Sequence, residues 1–341
     1  MIADYPINGS LNFYSTGINK LSNTNNLRTT VVNDIVFNSK DFISNLGFKN
    51  DFDLYLKNLN SAGKKDPLYS SDIQSDGMGI LKFDSALPLL KSTNMNRQIF
   101  TPKISLRINP GNNMDNYSNS LSNITANNVY DINRLGISDV FEAGRSLTFG
   151  FDYKFDLLEN DISENTKDKY LEVKLATVVR DKFENDIPIS STINKKESDI
   201  FGSINNRLFN NLNFNYDFSL DNDLRTINSH SISTGISINN FVTSFNYIEK
   251  RNAIGSTHMI SNDTEYMINK NSFFKFSTRR NKEINLTEYY DLSYEYKNDC
   301  LTAALKFKKS FYQDDDLKPT EDLFFTITLM PLATYETGIK R

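Results

Sequence analysis

A strict alternation of apolar and polar residues near the C-terminal end restricts the fold more than any other feature of the sequence. In segment 290–297, three tyrosines and a leucine alternate with Asp, Ser, Glu and Lys, and segments 301–308 and 324–329 repeat this pattern with small deviations. A period of two places successive side chains on opposite faces of a β-strand, whereas a helix repeats every 3.6 residues. These segments are therefore predicted to be strands with one apolar face.

The same alternation recurs upstream, and it gives about sixteen strand-like segments over the whole chain. The connections alternate between tight turns, such as 298–300, and longer polar loops, such as 312–322. Strands of about ten residues joined in this way are typical of outer-membrane barrels. We therefore expect an all-β fold, an antiparallel transmembrane β-barrel, that forms the C-terminal part of a larger barrel.

The composition agrees with a barrel better than with a soluble core. Aromatic residues make up 12% of the chain, all of them Tyr and Phe, while hydrophobic residues reach only 38%. The mean hydropathy is −0.48, which a barrel with one lipid face and a polar lumen would give on average. The net charge of −4 provides no electrostatic footprint for nucleic acid, so we expect no nucleic-acid partner.

The alternation also predicts the direction in which side chains point and the side of the membrane on which loops lie. Thr148 should point away from lipid. The side chains expected to face lipid are Phe149, Phe151, Phe214, Phe218, Leu305 and Ile327. If the C-terminus is periplasmic, counting strands back from residue 331 places connections 181–198 and 312–322 outside the cell, and these are longer than the alternate turns, as barrels require.

The single cysteine, Cys300, cannot form a disulfide within this chain. It is either a free thiol or one half of a bridge to something outside these residues. The first residues show neither the basic nor the apolar region of a signal peptide. We therefore expect 1–341 to be one outer-membrane barrel domain, a fragment of a longer precursor whose signal peptide and N-terminal periplasmic domain are absent.

No group of residues argues for an enzyme, a cofactor or a metal site. His230 and His258 lie in strand patterns without a second ligand at metal spacing, and solvated histidines explain them best. The acidic run 314–316 reads as a solvated loop rather than a calcium site, because calcium ligands occupy spaced positions. Lys306, Lys308 and Lys309 could meet lipid phosphates, but solvation in a polar lumen explains them nearly as well.

Two stretches resemble a known family. The first is 133–155, NRLGISDVFEAGRSLTFGFDYKF, and the second is the C-terminal run that contains YEYKNDC and DLKPTEDLFFTITLMPL. Both resemble the LptD family of lipopolysaccharide (LPS) assembly proteins, and the resemblance extends over roughly the last three quarters of the chain. The positions that match the motif of the first stretch are Asn133, Arg134, Asp139, Glu142, Gly144 and Arg145.

The resemblance implies a conduit in the outer membrane of a Gram-negative bacterium that delivers LPS to the outer leaflet. It implies four partners: LPS itself, outer-membrane lipids, an LptE-like lipoprotein plug, and a periplasmic LptA-like bridge that reaches the barrel through a missing N-terminal jellyroll domain. It also implies that Cys300 is bridged to that domain, and that LPS leaves between the first and last strands. The residues of the last strand at this seam would be Phe325, Ile327, Leu329 and Pro331.

Two other functions stay open from the sequence. A porin-type diffusion channel would share the strands, but it would need neither the cysteine nor the block at 133–155. A soluble or surface-exposed β-rich adhesin would share the alternation without entering a membrane. Extraction separates these classes, since a barrel needs detergent and migrates differently after heating, whereas an adhesin dissolves in buffer.

Overall fold

A computed structural model of the chain describes residues 8–67, 69–111, 123–136, 142–158, 169–185, 187, 189–252, 255–311, 319–329 and 333–340. These residues form nineteen strands and one short 3-10 helix, Ile189–Ser191. The strands are β1 (Gly9–Ser22), β2 (Asn26–Ser39), β3 (Phe42–Ile43), β4 (Lys49–Lys64), β5 (Gln74–Ala86), β6 (Leu89–Ser92), β7 (Asn96–Asn109), β8 (Gly144–Leu157), β9 (Lys169–Arg180), β10 (Ile200–Phe209), β11 (Leu212–Leu220), β12 (Ile227–Ile238), β13 (Phe241–Asn252), β14 (Gly255–Asn269), β15 (Ser272–Asn281), β16 (Leu286–Lys297), β17 (Leu301–Ser310), β18 (Thr320–Leu329) and β19 (Ala333–Lys340).

The prediction of an all-β antiparallel fold is confirmed. The strand number is larger than expected, because β3 and β6 are too short to show alternation and β19 carries only a weak one. Within the residues described above, no helix has the length and apolar character needed to cross a membrane.

The chain divides into two compact units. The first consists of Met1–Phe155, Val173–Ser203 and Ser219–Thr226. The second consists of Asp156–Glu172, Ile204–Phe218 and Ile227–Arg341.

In the first unit, β1, β2, β4, β5 and β7 pair in sequence as antiparallel neighbours. The short strands continue this pairing, because β3 follows β2 along β4 and β6 follows β5 along β7. The register places Leu54 opposite Leu81, and both side chains are exposed. The alternate positions point the other way, and there Lys57 is buried beside Asp34, with 2.8 Å between Nζ and Oδ1. The apolar face is thus the exposed one and the inner face carries charge.

The buried apolar cluster of the first unit is built partly from connections. Ile80 of β5 and Val178 of β9 contribute from strands, whereas Val129, Leu135 and Ile193 come from the segments that follow β7 and β9. These two connections therefore pack as part of the interior.

In the second unit, β12 to β19 pair in chain order, each antiparallel to the next. The register aligns Tyr294, Leu305 and Phe325 across β16, β17 and β18. All three are exposed, so they form an apolar outer face. The alternate rows are polar, with Lys308 between Asp291 and Asp322.

The exposures agree with the predicted faces where the two can be compared. Phe149 is 45% exposed and Leu305 is 47% exposed, whereas Thr148 is 2% exposed. The other side chains expected at lipid, namely Phe151, Phe214, Phe218 and Ile327, are partly exposed. Contact with lipid itself stays a prediction.

The count of strands from the C-terminus needs a correction. It took the segment that ends at residue 331 as the last strand, but β19 follows it and pairs with β18 along its length. With one more strand at the C-terminal end, the same count assigns each connection to the opposite side of the membrane. The lengths of the connections are unaffected, and they are the better guide to orientation.

Candidate functional site

The connection between β7 and β8 carries most of the motif residues. It turns tightly after 123: the Thr125 N–H donates to Asn128 Oδ1 at 2.8 Å, and the Val129 N–H donates to Thr125 O at 3.0 Å. Val129 and Leu135 are buried in the core cluster. Because Leu135 anchors the end of this turn inside, its neighbour Arg134 is drawn inside as well.

The Arg134 side chain is held by hydrogen bonds along its whole guanidinium group. Its Nε donates to Glu142 Oε2 at 2.7 Å, and its Nη2 donates to the other oxygen of the same carboxylate. Nη1 donates to Val129 O at 3.2 Å and to Thr148 Oγ1 at 3.1 Å, and Nη2 also reaches Ser146 Oγ at 3.0 Å. Only arginine offers this planar set of donors.

Glu142 is shared by three arginines. Arg180 at the end of β9 also forms an ion pair with its carboxylate, and Arg180 Nη1 donates to Ala143 O at 3.0 Å. Arg107 of β7 lies farther away, with 3.8 Å from Nη1 to Glu142 Oε2. We call Arg107, Arg134, Glu142 and Arg180 the arginine–glutamate cluster. All four are buried, and buried charges persist only when they are paired and hydrogen-bonded.

Gly144 makes room for a second carboxylate beside this cluster. It has a φ of +84°, which favours glycine. A Cβ at this position would overlap the Glu184 carboxylate and lie 3.4 Å from Arg180 Nη1. Glu184 belongs to the connection after β9, where its N–H donates to Asn194 O at 3.0 Å. The glycine thus lets the two connections approach each other.

The cluster is suited to positioning rather than to catalysis. Burial lowers the pKa of Arg134 to about 9, so this guanidinium stays charged at neutral pH. Its donors are occupied by the protein itself, and its buried location excludes solutes. What the cluster does is tie the connection after β7 and the one after β9 to the ends of β7, β8 and β9.

The motif residues predicted from sequence divide into two groups. The structure brings Arg134, Glu142 and Gly144 together, as described above. Asn133 is exposed and its carbonyl accepts a hydrogen bond from the Gly136 N–H at 3.1 Å. Arg145 is exposed at the start of β8. Asp139 lies outside the described residues.

Sequence reasoning missed Arg107, Arg180 and Glu184. Each lies far along the chain from Glu142, and none forms a local pattern with it. In addition, charged residues are common where an apolar strand ends, so these three do not stand out in the sequence. The pairing becomes visible only when the strands are placed side by side.

A polar cleft of about 350 Å³ lies on the charged face of β15 to β19 in the second unit. We call it the polar cleft. It is lined by lysines, carboxylates and hydroxyls together with three apolar residues: Lys275, Ser277, Asp291, Leu292, Ser293, Lys306, Phe307, Lys308, Phe324, Thr326 and Glu336.

The three lysines weighed together in the sequence are separated by the strand. Lys306 and Lys308 line the polar cleft. Lys309 lies on the opposite face, where its ammonium pairs with Glu321 and lies 5.4 Å from the centre of the Phe311 ring. Lys309 is therefore not part of the same charged surface.

Cys300 lies in the short turn between β16 and β17 and is exposed. Asn298 shapes this turn, because its side-chain oxygen accepts the N–H groups of Cys300 at 3.0 Å and of Leu301 at 2.8 Å. The thiol is thus presented at a tight, ordered turn.

His230 belongs to a hydrogen-bonded cluster, and His258 packs beside it. His230 Nε2 lies 2.9 Å from Glu249 Oε2, and the Tyr247 hydroxyl donates to the same oxygen at 2.6 Å. Ser229 is next to His230 in β12, so the two side chains point to opposite faces and cannot act as a dyad. The His258 ring packs edge-on against Tyr247.

No group of three or more metal-ligating side chains occurs among the described residues. The acidic run 314–316 lies outside them. Of the expected seam residues, Phe325, Ile327 and Leu329 lie in β18, which pairs with β17 on one side and with β19 on the other. Pro331 is also outside the described part of the chain.

The chain matches the model of a known family. The family model described as "LptD: LPS transport system D" matches residues 10–272. The matched range includes the arginine–glutamate cluster and ends before Cys300. A comparison with curated proteins gives no match.

Proposed function

Because the chain belongs to the LptD family, whose model covers most of it, we propose that it is the barrel of a translocon that inserts LPS into the outer leaflet. The family is an outer-membrane β-barrel family of Gram-negative bacteria that transports LPS. LPS transport is therefore the function at the coarse level, and LPS is the substrate. The proposal adds the step of insertion.

The structural observation that carries this proposal is that the strands expose their apolar side chains and bury their charged ones. Leu54 and Leu81 are exposed on the outer face of the first unit, whereas Lys57 and Lys82 are buried on its inner face. In lipid, an apolar outer face is stabilising, and charges survive only inside where partners or water reach them. Such strands suit a conduit for a polar saccharide.

The proposal includes further parts of the translocon. An LptE-like lipoprotein plug, an LptA-like bridge and an N-terminal jellyroll would complete the translocon. LPS would leave between the first and last strands, where backbone hydrogen bonds must open. In this arrangement β18 is a neighbour of the seam, because β19 covers its edge.

Cys300 is proposed to be bridged to the periplasmic domain. Its exposure at an ordered turn supports an accessible thiol, and outer-membrane proteins fold in an oxidising compartment. In the full-length protein, non-reducing electrophoresis should show a mobility shift that disappears with reductant and in Cys300→Ser. A Cys300 that reacts freely with a maleimide in the assembled protein would exclude the bridge.

Depletion tests the proposed function. In cells where this protein is the only copy, its depletion should stop newly made LPS from reaching the cell surface, while older surface LPS remains. Surface LPS can be followed by labelling intact cells with an impermeant sugar-reactive probe after a metabolic pulse. A porin predicts unchanged surface LPS and slower uptake of small solutes, and that outcome would reject the proposal.

A further inference from the structure

The connections after β7 and β9 cover the inner face of the first unit at one end of its strands. We propose that they form a seal that holds back ions and small polar solutes, so that the first unit is a permeability barrier in addition to its part in transport. This inference goes beyond the proposed function and does not rest on it, because it concerns solutes other than LPS.

The inner face of the first unit changes from charged to apolar along its strands. In β5, Lys82 Nζ lies 2.5 Å from Asp84 Oδ2, whereas Met78 and Ile80, on the same face but nearer to the start of the strand, are buried. Val178 near the end of β9 is fully buried and belongs to one core cluster with them. A barrel interior that faces water is polar, so apolar side chains at these positions need a cover.

Apolar side chains of the two connections supply the cover. Val129 and Leu135 come from the connection after β7, and Ile187 and Ile193 come from the one after β9. Each of the four is at most 1% exposed, and all of them belong to the same core cluster as the strand residues. Because contact removes both apolar surfaces from water, the hydrophobic effect stabilises the closed arrangement.

Tyr130 shows how far the connection after β7 reaches between the strands. The chain enters β8 at Gly144, yet a Cβ on Gly150 would lie 2.8 Å from the Tyr130 hydroxyl oxygen. Six residues of strand span roughly 20 Å. Lys174 of β9 holds the same connection, since its ammonium donates to Asn127 Oδ1 at 3.0 Å. The connection therefore enters the interior instead of lying across its mouth.

The arginine–glutamate cluster closes the polar part of the seal. Arg134 is 2% exposed, and its guanidinium donates to Glu142 and to other oxygens of the protein. Arg180 donates to Ala143 O and to Ile193 O, one carbonyl from each connection. These charges are satisfied without a water-filled path beside them. An ion that entered this interior would lose its hydration shell without gaining a partner, which is costly.

The seal is expected at the extracellular end of the strands. Its connections are long, 110–143 between β7 and β8 and 181–199 between β9 and β10. Long connections lie outside the cell in bacterial barrels. The charged part of the inner face, with Lys82 and Asp84, then lies on the periplasmic side of the seal.

Thiol accessibility in the full chain, purified in micelles, tests the cover. In a Cys300→Ser background, Ile80→Cys places a thiol under the connections. Ala86→Cys places one on the same face of β5, nearer to the charged end, where Ala86 is partly exposed. A small charged methanethiosulfonate should modify Ile80→Cys at least about a hundredfold more slowly, since the reaction requires local opening of a packed segment. Equal rates at the two positions would overturn the inference.

Conductance in planar bilayers tests whether the cover holds back solutes. The double variant Val129→Asp/Ile193→Asp places two carboxylates in the core cluster, so the connections should leave the interior. It should show a conductance level that the wild type lacks, and Ile80→Cys should lose its protection in this background. Asn127→Asp/Asn133→Asp adds the same charges at exposed positions of one connection, and it should change neither readout.

The remaining outcomes are also decisive. If the double variant exposes Ile80→Cys but leaves conductance unchanged, the connections pack against the strands without forming a barrier, and the inference fails. Heat-modifiable migration shows whether each variant is folded. If the double variant does not fold, Leu135→Ala replaces it, because this milder change leaves a cavity in the cluster. It should speed modification of Ile80→Cys about tenfold or more, and an unchanged rate would count against the seal.

These readouts are independent of the proposed function. None of them uses LPS, so a failed seal leaves LPS transport as it was. Conversely, unchanged surface LPS after depletion would reject the proposed function and leave the seal in place.

Discussion

At the scale of single residues, the arginine–glutamate cluster shows how a few side chains can fix long connections. Glu142 accepts from Arg134 and pairs with Arg180. These arginines also donate to backbone carbonyls of both connections. The motif at 133–145 marks two members of this cluster from the sequence alone. Arg180 was not predicted: an antiparallel pair brings the end of β9 near the start of β8, but the sequence does not give the register that places Arg180 against Glu142.

Glu142→Gln tests the cluster. The change leaves buried guanidinium groups without their shared carboxylate, which should lower the free energy of unfolding by about 3–5 kcal/mol. The midpoint of urea unfolding in micelles, followed by heat-modifiable migration, measures it. Arg145→Gln is the matched control: it lies three residues away but is exposed, and its effect should stay within about 0.5 kcal/mol. Equal effects of the two changes would contradict a buried ionic role.

At the scale of strands, the alternation in sequence predicts well on which face of the sheet a side chain lies, but it predicts poorly which strands exist and where they end. Phe325 and Thr326 are neighbours in β18, yet one lies in the apolar row with Leu305 and the other opposite Glu336. That separation follows from the pleat, so it can be read from sequence. The strand β19 was not predicted, because in Ala333–Lys340 the apolar row is short and Thr337 interrupts it. Its pairing with β18 comes from backbone hydrogen bonds, which leave no mark in the sequence.

An arginine placed on either face of β18 tests which face contacts lipid. Phe325→Arg should cost about 2–4 kcal/mol if the position is near the middle of the membrane, since Phe325 is 41% exposed on the apolar face. Thr326→Arg puts the same side chain beside Glu336 and should cost less than about 1 kcal/mol. Folding yield into vesicles, as a function of urea, gives both values. A greater loss with Thr326→Arg would reverse the assignment of faces.

At the scale of the whole molecule, the lengths of the connections predict orientation. In the second unit, 298–300 is a short turn, whereas 311–319 joins β17 to β18 from the other end of the strands. Short turns are periplasmic and long loops are extracellular in bacterial barrels. Connection 282–285 lies at the same strand ends as 311–319, so both are expected outside the cell.

The native cysteine allows this orientation to be measured. In a Cys300→Ser background, Glu283→Cys should react with an impermeant maleimide on intact cells. Cys300 in the native chain should react only after the outer membrane has been permeabilised and reductant added. The opposite pattern, with Cys300 labelled on intact cells and Glu283→Cys protected, would invert the barrel in the membrane.

The arginine–glutamate cluster also bears on the order in which the protein folds. Its members come from β7, from the connection after it and from the end of β9, so it can form only after three successive strands are in register. Contacts between residues far apart in sequence are slow to form, because the entropy of closing the loop is lost first. Until β9 docks, Glu142 lacks Arg180 and must stay hydrated, which keeps both connections open. Closure of the interior of the first unit is therefore a late event in its assembly. If a strand pairs out of register, this interior stays hydrated.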